Sequence, residues 1–229
     1  MSWAFDNASM LAHLTGQNAY LALVPVLIGL VIALPLGIAS ARWGWLYPPV
    51  LSITSVLYAL PALALFVALI AYTGLTNTTV IIPLTVYALA VLFPSVVDGL
   101  RSVPEPVRQA AVAMGFGAWR RLATVELPIA TPIVIAGLRV AAVSSISLVS
   151  VGQLIGIGGL GYLFIDGEQR DFTTEIVVGI VLIIVLSLIV DLVLVLARWL
   201  LTPWQRRTRT ERRAAATSGA GREQLVEGL

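Results

Sequence analysis

The sequence predicts an all-α membrane protein with about five transmembrane helices. Three observations carry that expectation. Hydrophobic residues make up 59% of the 229 and charged residues only 11%, too little polar surface for a soluble globule of this length. Ala19 to Ser40 is an uncharged run of 22 residues, and Trp43 to Val97 is another of 55. Arg42 separates these runs, Asp98 ends the second, and every basic residue is Arg, with no Lys.

The elements follow in order. Residues 1–18 carry Trp3, Phe5, Asp6 and His13 but no Arg, so they lack the basic start of a secretory signal. They are expected to form a retained external interfacial segment, anchored by Trp3 and Phe5; a frayed end is the other reading. Residues 19–200 form the transmembrane part. Ala19 to Ser40 suffices to cross a ~30 Å hydrocarbon core at ~1.5 Å per residue, with kinks expected at Pro25 and Pro35. Arg42, Trp43, Trp45 and Tyr47 then make a basic and aromatic belt. The 55-residue run is too long for one crossing. Its single polar cluster, Thr73 to Thr78, divides it into a second helix at about Pro49 to Tyr72 and a third at about Thr79 to Asp98. Bends are expected at Pro61, Pro83 and Pro94.

A polar island covers 101–128, RSVPEPVRQAAVAMGFGAWRRLATVELP. Ser102 is a candidate cap for a short helix over Val107 to Met114, which Gly115 can end in a left-handed conformation. A second short helix is expected from Ala118 to Glu126. Ile129 to about Val151 forms the fourth spanning helix, a Gly-rich external loop follows over 152–174, and Glu175 to Leu200 forms the fifth. The basic tail, 201–229, reads as cytoplasmic and disordered. Its arginines either touch anionic lipid headgroups or only keep the tail soluble.

Charge sets the orientation. With the amino terminus outside and the carboxyl terminus in the cytoplasm, 13 of the 14 Arg lie inside and only Arg170 outside. The expected address is a cell membrane, with the tail on its cytoplasmic side. No Cys is present and His13 is alone, so neither a thiolate nor a histidine metal cluster is expected. Nucleic acid is not an expected partner. Gly156 to Gly161 matches the G-x-G-x-x-G pattern, but no strand–helix unit surrounds it, so dinucleotide binding is not expected.

Gln109-Ala110-Ala111, three residues, Gly115, nine residues, then Val125-x-Leu127-Pro128 resembles the EAA loop of ABC importer permeases. Gln109 stands where the family pattern has Glu, and Val125 where it has Ile. The stretches ALPALALF (Ala59 to Phe66), ELPIATPIVIAGLRVA (Glu126 to Ala141) and LIGIGGLGYLFIDG (Leu154 to Gly167) resemble permeases of the glycine betaine, carnitine and choline class.

This resemblance implies a type I importer architecture and ATPase coupling through Gln109, Ala110, Ala111, Gly115, Leu127 and Pro128; an ordinary connector is the alternative for that stretch. It implies a separate ABC ATPase dimer carrying ATP and Mg, with no cofactor on this chain. It also implies a second permease copy, identical or paralogous, and an extracytoplasmic substrate-binding protein. Import of another small solute, such as an amino acid, is the nearest alternative. An ion-coupled transporter working through Asp98, Asp191 and Arg139 is the alternative of a different class.

Within the membrane, Ser144, Ser147 and Ser150 recur at three-residue intervals. With Gln153 they either face a solute path or bond their own helix and help it pack. Tyr58 and Tyr87 are candidate aromatic contacts for a quaternary ammonium solute. Arg139 is expected either to pair with Asp98 or Asp191 as a brace, or to snorkel to the headgroups.

Overall fold

The computed structural model describes residues 2–203; the tail expected beyond them lies outside the described residues. Helix α1 (Ser2–Asp6) leads into α2 (Ala8–Arg42), which runs unbroken through Pro25 and Pro35. The first spanning helix thus extends back to Ala8 rather than starting at Ala19. Residues 8–18 lengthen it because Leu11 and Asn18 find buried partners there. Trp3 packs edge-on against Phe172, 5.6 Å between ring centres.

A short 3-10 turn at Gly44–Leu46 precedes α3 (Tyr47–Ala59), and α4 (Ala62–Thr73) follows a sharp bend of 92°. The second helix expected from the sequence is therefore a bent pair. Pro61 lacks an N–H and its preceding residue is held extended, with ψ 140° at Leu60. Among the described residues, four long apolar helices can cross a membrane, and five crossings result if the bent pair counts as one.

Thr73 and Thr79 close the next turn with a 2.6 Å hydroxyl contact, and Thr79 also donates to Gly74 O. Helix α5 (Asn77–Arg101) runs through Pro83 and Pro94 without a break. Half of its most apolar window is buried, and it packs chiefly against α2 and α8 (Leu127–Val149), the central layer of the molecule. Around α5, Leu21, Phe66, Leu84 and Ile146 fill one core and Val26, Leu92, Val96 and Ala142 another.

Between α5 and α8 lie α6 (Glu105–Ala113) and α7 (Ala118–Arg121). The second short helix expected at 118–126 is not a separate element. Helix α7 passes through one π turn, Leu122–Glu126, straight into α8. Pro128 has no N–H for an α-helical bond to Thr124, and its ring crowds that carbonyl; the wider turn just upstream relieves both. The Gly-rich segment forms two 3-10 turns and α9 (Tyr162–Gln169), followed by α10 (Thr173–Leu201). Helix α10 packs on α8 and α9 and leaves Ile180, Ile184, Leu188 and Leu192 outside, as a lipid-facing helix should. The G-x-G-x-x-G stretch lies at these 3-10 turns between α8 and α9.

Candidate functional site

Helix α6 is built to protrude. Glu105 and Pro106 occupy its first turn, where a carboxylate suits the helix dipole and a missing N–H costs nothing. Ser102 does not cap it: the cap is Pro104, and the Ser102 hydroxyl donates to Gly99 O at the end of α5. At the other end Gly115 takes φ +78°. Its N–H bonds Val112 O at 2.9 Å and the Phe116 N–H bonds Ala111 O at 3.0 Å, a Schellman closure that a left-handed glycine permits.

One face of α6 is fastened down and the other is free. Ala111 is 1% exposed, and Arg108 donates to Leu100 O at 2.6 Å. Glu126 in the π turn accepts from Arg121 at 2.7 Å and lies 3.9 Å from Arg108. These contacts tie α6 to the foot of α8. Gln109, Ala110, Val112, Ala113 and Met114 are exposed, and Gln109 makes no hydrogen bond among the described residues. Gln109, Val112 and Ala113 line an open concavity of about 460 Å³ with Glu105, Arg108 and Arg121. Leu127 and Pro128 are half-buried at the start of α8.

The membrane-embedded candidates divide into three places. Tyr58 on α3 and Tyr87 on α5 meet edge-on, 5.5 Å between ring centres, beside a cavity of about 10 Å³ that Ser144 also lines. The Tyr87 hydroxyl is already used: it donates to Leu60 O, a carbonyl freed by the bend. Ser147 faces outward and bonds Val143 O at 3.4 Å. Ser150 and Gln153 belong instead to the turns of the Gly-rich loop, where the Ser150 hydroxyl is buried without a hydrogen-bond partner. The serines thus do not form one stripe, because α8 gives way to 3-10 geometry at Ser150.

Arg139 meets Asp191 through two hydrogen bonds, Nε to Oδ1 at 2.6 Å and Nη2 to Oδ2 at 2.7 Å. The pair joins α8 to α10 and borders an open groove with Ala136, Val140 and Ser144. Asp98 is not part of it; that carboxylate is exposed near the end of α5.

Sequence reasoning missed Asn18. It is fully buried, donates from Nδ2 to Ile146 O and accepts at Oδ1 from the Leu160 N–H, both at 3.3 Å. It therefore clamps α2 to α8 and to the Gly-rich loop. Gly159, at φ +49°, makes the approach feasible, since a β-carbon there would lie 2.8 Å from Asn18. The only sequence signal was a polar residue bordering the apolar run that begins at Ala19. In the same loop region, burial raises the Tyr162 phenol above its ordinary range and the Asp166 carboxylate pushes the same way, so it stays protonated.

A family model described as the inner membrane component of binding-protein-dependent transport systems matches residues 21–207. The chain belongs to this family. It is accordingly a multi-pass permease subunit of the bacterial inner membrane. It is 32% identical to the osmoprotectant import permease protein OsmW of Salmonella typhimurium over 206 residues, 88% of this chain and 96% of the relative. It is 29% identical to OpuCB of Bacillus subtilis, a glycine betaine/carnitine/choline permease, over 89% of this chain and 94% of that one. OpuCD of the same organism shares 34% over 74% of each chain. A solved MetNI methionine ABC transporter structure, inward facing, overlays with a TM-score of 0.69 at 22% identity, covering 82% of this chain and 95% of its own. The permease has the type I importer fold.

Proposed function

We propose that this permease imports a small compatible solute of the glycine betaine, carnitine and choline type, driven by ATP hydrolysis on a separate ATPase dimer that carries ATP and Mg. The observation that carries the coupling role is α6: a short helix with a fastened base and a free face presenting Gln109 and Ala110. A push on that face reaches α8 through Arg108, Arg121 and Glu126. Ala111 and Gly115 set the shape of the knob, and Leu127 and Pro128 join it to the spanning helix. The identities to osmoprotectant permeases support the solute class.

The orientation that keeps the amino terminus outside puts α6 in the cytoplasm, where an ATPase can grip it. A second permease copy encloses the path, and an extracytoplasmic binding protein delivers the solute. Tyr58, Tyr87 and Ser144 are the side chains nearest one another that can border that path, and Arg139–Asp191 braces its wall. The experiment is uptake of labelled betaine, choline and carnitine into proteoliposomes holding the whole transporter. Gly115→Asp, with membrane insertion intact, is expected to abolish ATP-dependent uptake. Undiminished uptake with normal ATPase copurification overturns the coupling role.

A further inference from the structure

Three arginines border a second cavity, of about 120 Å³, set among the ends of α2, α5 and α7: Arg42, Arg108 and Arg121. This is well above the ~10–15 Å³ that one water requires. A single carboxylate, Glu126, faces them. Arg121 pairs with Glu126 and Arg108 also meets Glu105 at 3.8 Å, which leaves Arg42 as the guanidinium of the pocket with no carboxylate partner among the described residues. Other arginines nearby are engaged: Arg101 lies 4.5 Å from the Tyr47 ring centre and Arg120 4.4 Å from that of Phe116. Those lining the pocket retain unused donors. Arg42 has no hydrogen bond or ion pair among the described residues, and Arg108 Nε is buried without a hydrogen bond.

The surroundings point to lipid. Arg42 closes α2 and Arg101 closes α5, so the pocket sits at the level where these apolar helices end. Trp43, Trp45 and Trp119 are 55%, 73% and 73% exposed around the same level, the place aromatic side chains take at a bilayer surface. Ile38, Leu100 and Leu122 give the pocket an apolar wall beneath its charges. Guanidiniums above an apolar wall match a phosphate whose substituents continue into hydrocarbon.

We propose that this pocket binds the phosphate of an anionic phospholipid headgroup. A free phosphate has the same anion chemistry but would leave the apolar wall unused. The site rests on the membrane placement of the helices and not on the solute; it shares Arg108, Arg121 and Glu126 with the link from α6 to α8, so Arg42→Gln, which touches none of them, separates the two roles.

The test is native mass spectrometry of the full-length permease in detergent, titrated separately with phosphatidylglycerol and phosphatidylcholine at low salt. About tenfold preferential retention of phosphatidylglycerol is expected, given the unpaired Arg42 guanidinium. Arg42→Gln should reduce it, Arg42→Gln with Arg121→Gln should remove it, and Glu126→Gln should preserve or raise it. Arg42 is exposed at a helix end, so Arg42→Gln decides the matter if the double variant does not fold. Equal retention of both lipids, or phosphatidylglycerol retention unchanged by Arg42→Gln, overturns the site. Displacement of phosphatidylglycerol by equimolar inorganic phosphate identifies a solution anion and also overturns it. Unchanged lipid retention with loss of the copurifying ATPase assigns the arginines to a protein contact and overturns it as well.

Discussion

Arg139 and Asp191, 52 residues apart in sequence, face each other fork to fork, with both bonds shorter than 2.8 Å. Their side chains are 34% and 30% exposed, so each needs the other in a bilayer more than it would in water. Asp191→Asn is expected to lower the thermal midpoint of the detergent-solubilised permease. Adding Arg139→Gln should recover part of that loss, because the unpaired charge is then gone. Additive losses in the four-member cycle would show that the two side chains act separately.

Asn18 carries two long-range bonds at once. Asn18→Ala strands the Leu160 N–H and should destabilise the protein by about 1–3 kcal/mol. Gly159→Val should do at least as much damage, since its β-carbon meets the Asn18 backbone at 2.8 Å and φ is positive. Limited proteolysis of the Gly-rich loop, read beside thermal unfolding, should show faster cutting in both variants; protection equal to the parent would remove the clamp.

Tyr87 gives its hydroxyl to the carbonyl exposed at the helix bend. Tyr87→Phe should therefore cost about 1 kcal/mol of stability while the concentration for half-maximal uptake stays the same. Tyr58→Phe keeps the ring contact and should be nearly silent in both. A changed half-saturation with unchanged stability in Tyr87→Phe would instead assign that hydroxyl to the solute.

Gln109 is exposed and makes no hydrogen bond among the described residues. Gln109→Glu restores the charged acceptor of the family pattern and should strengthen ATPase copurification at low salt, with the gain fading as salt rises. Gly115→Ala, at φ +78°, should destabilise the end of α6 by about 1 kcal/mol and reduce coupling less than Gly115→Asp. Copurification indifferent to both changes would place the docking surface elsewhere.

The spanning helices were legible because uncharged runs of sufficient length have one physical solution in lipid. The end of α6 was legible too, since Gly115 followed a helix-forming run and took the left-handed conformation. What escaped depends on distant partners. Pro25, Pro35, Pro61, Pro83 and Pro94 look alike in sequence, yet only Pro61 parts two helices, and the carbonyl freed there is met by Tyr87, 27 residues from Leu60. Asn18 was silent because its partners lie 128 and 142 residues away. Sequence offered Arg139 two carboxylates without ranking them; Asp98 sits near a helix end where solvent can reach it, and Asp191 lies within a long apolar helix.

The elbow at Leu60–Pro61 has a geometric consequence. Its arms are 13 and 12 residues long, or ~20 Å and ~18 Å at 1.5 Å per residue. Neither reaches across a ~30 Å slab of hydrocarbon, and at 92° they cannot both stand upright in it. One limb must lean, and the oily sheath is interrupted beside it. Tyr87 already meets the carbonyl freed at the elbow, so the notch is open to lipid chains, a neighbouring subunit or water alike.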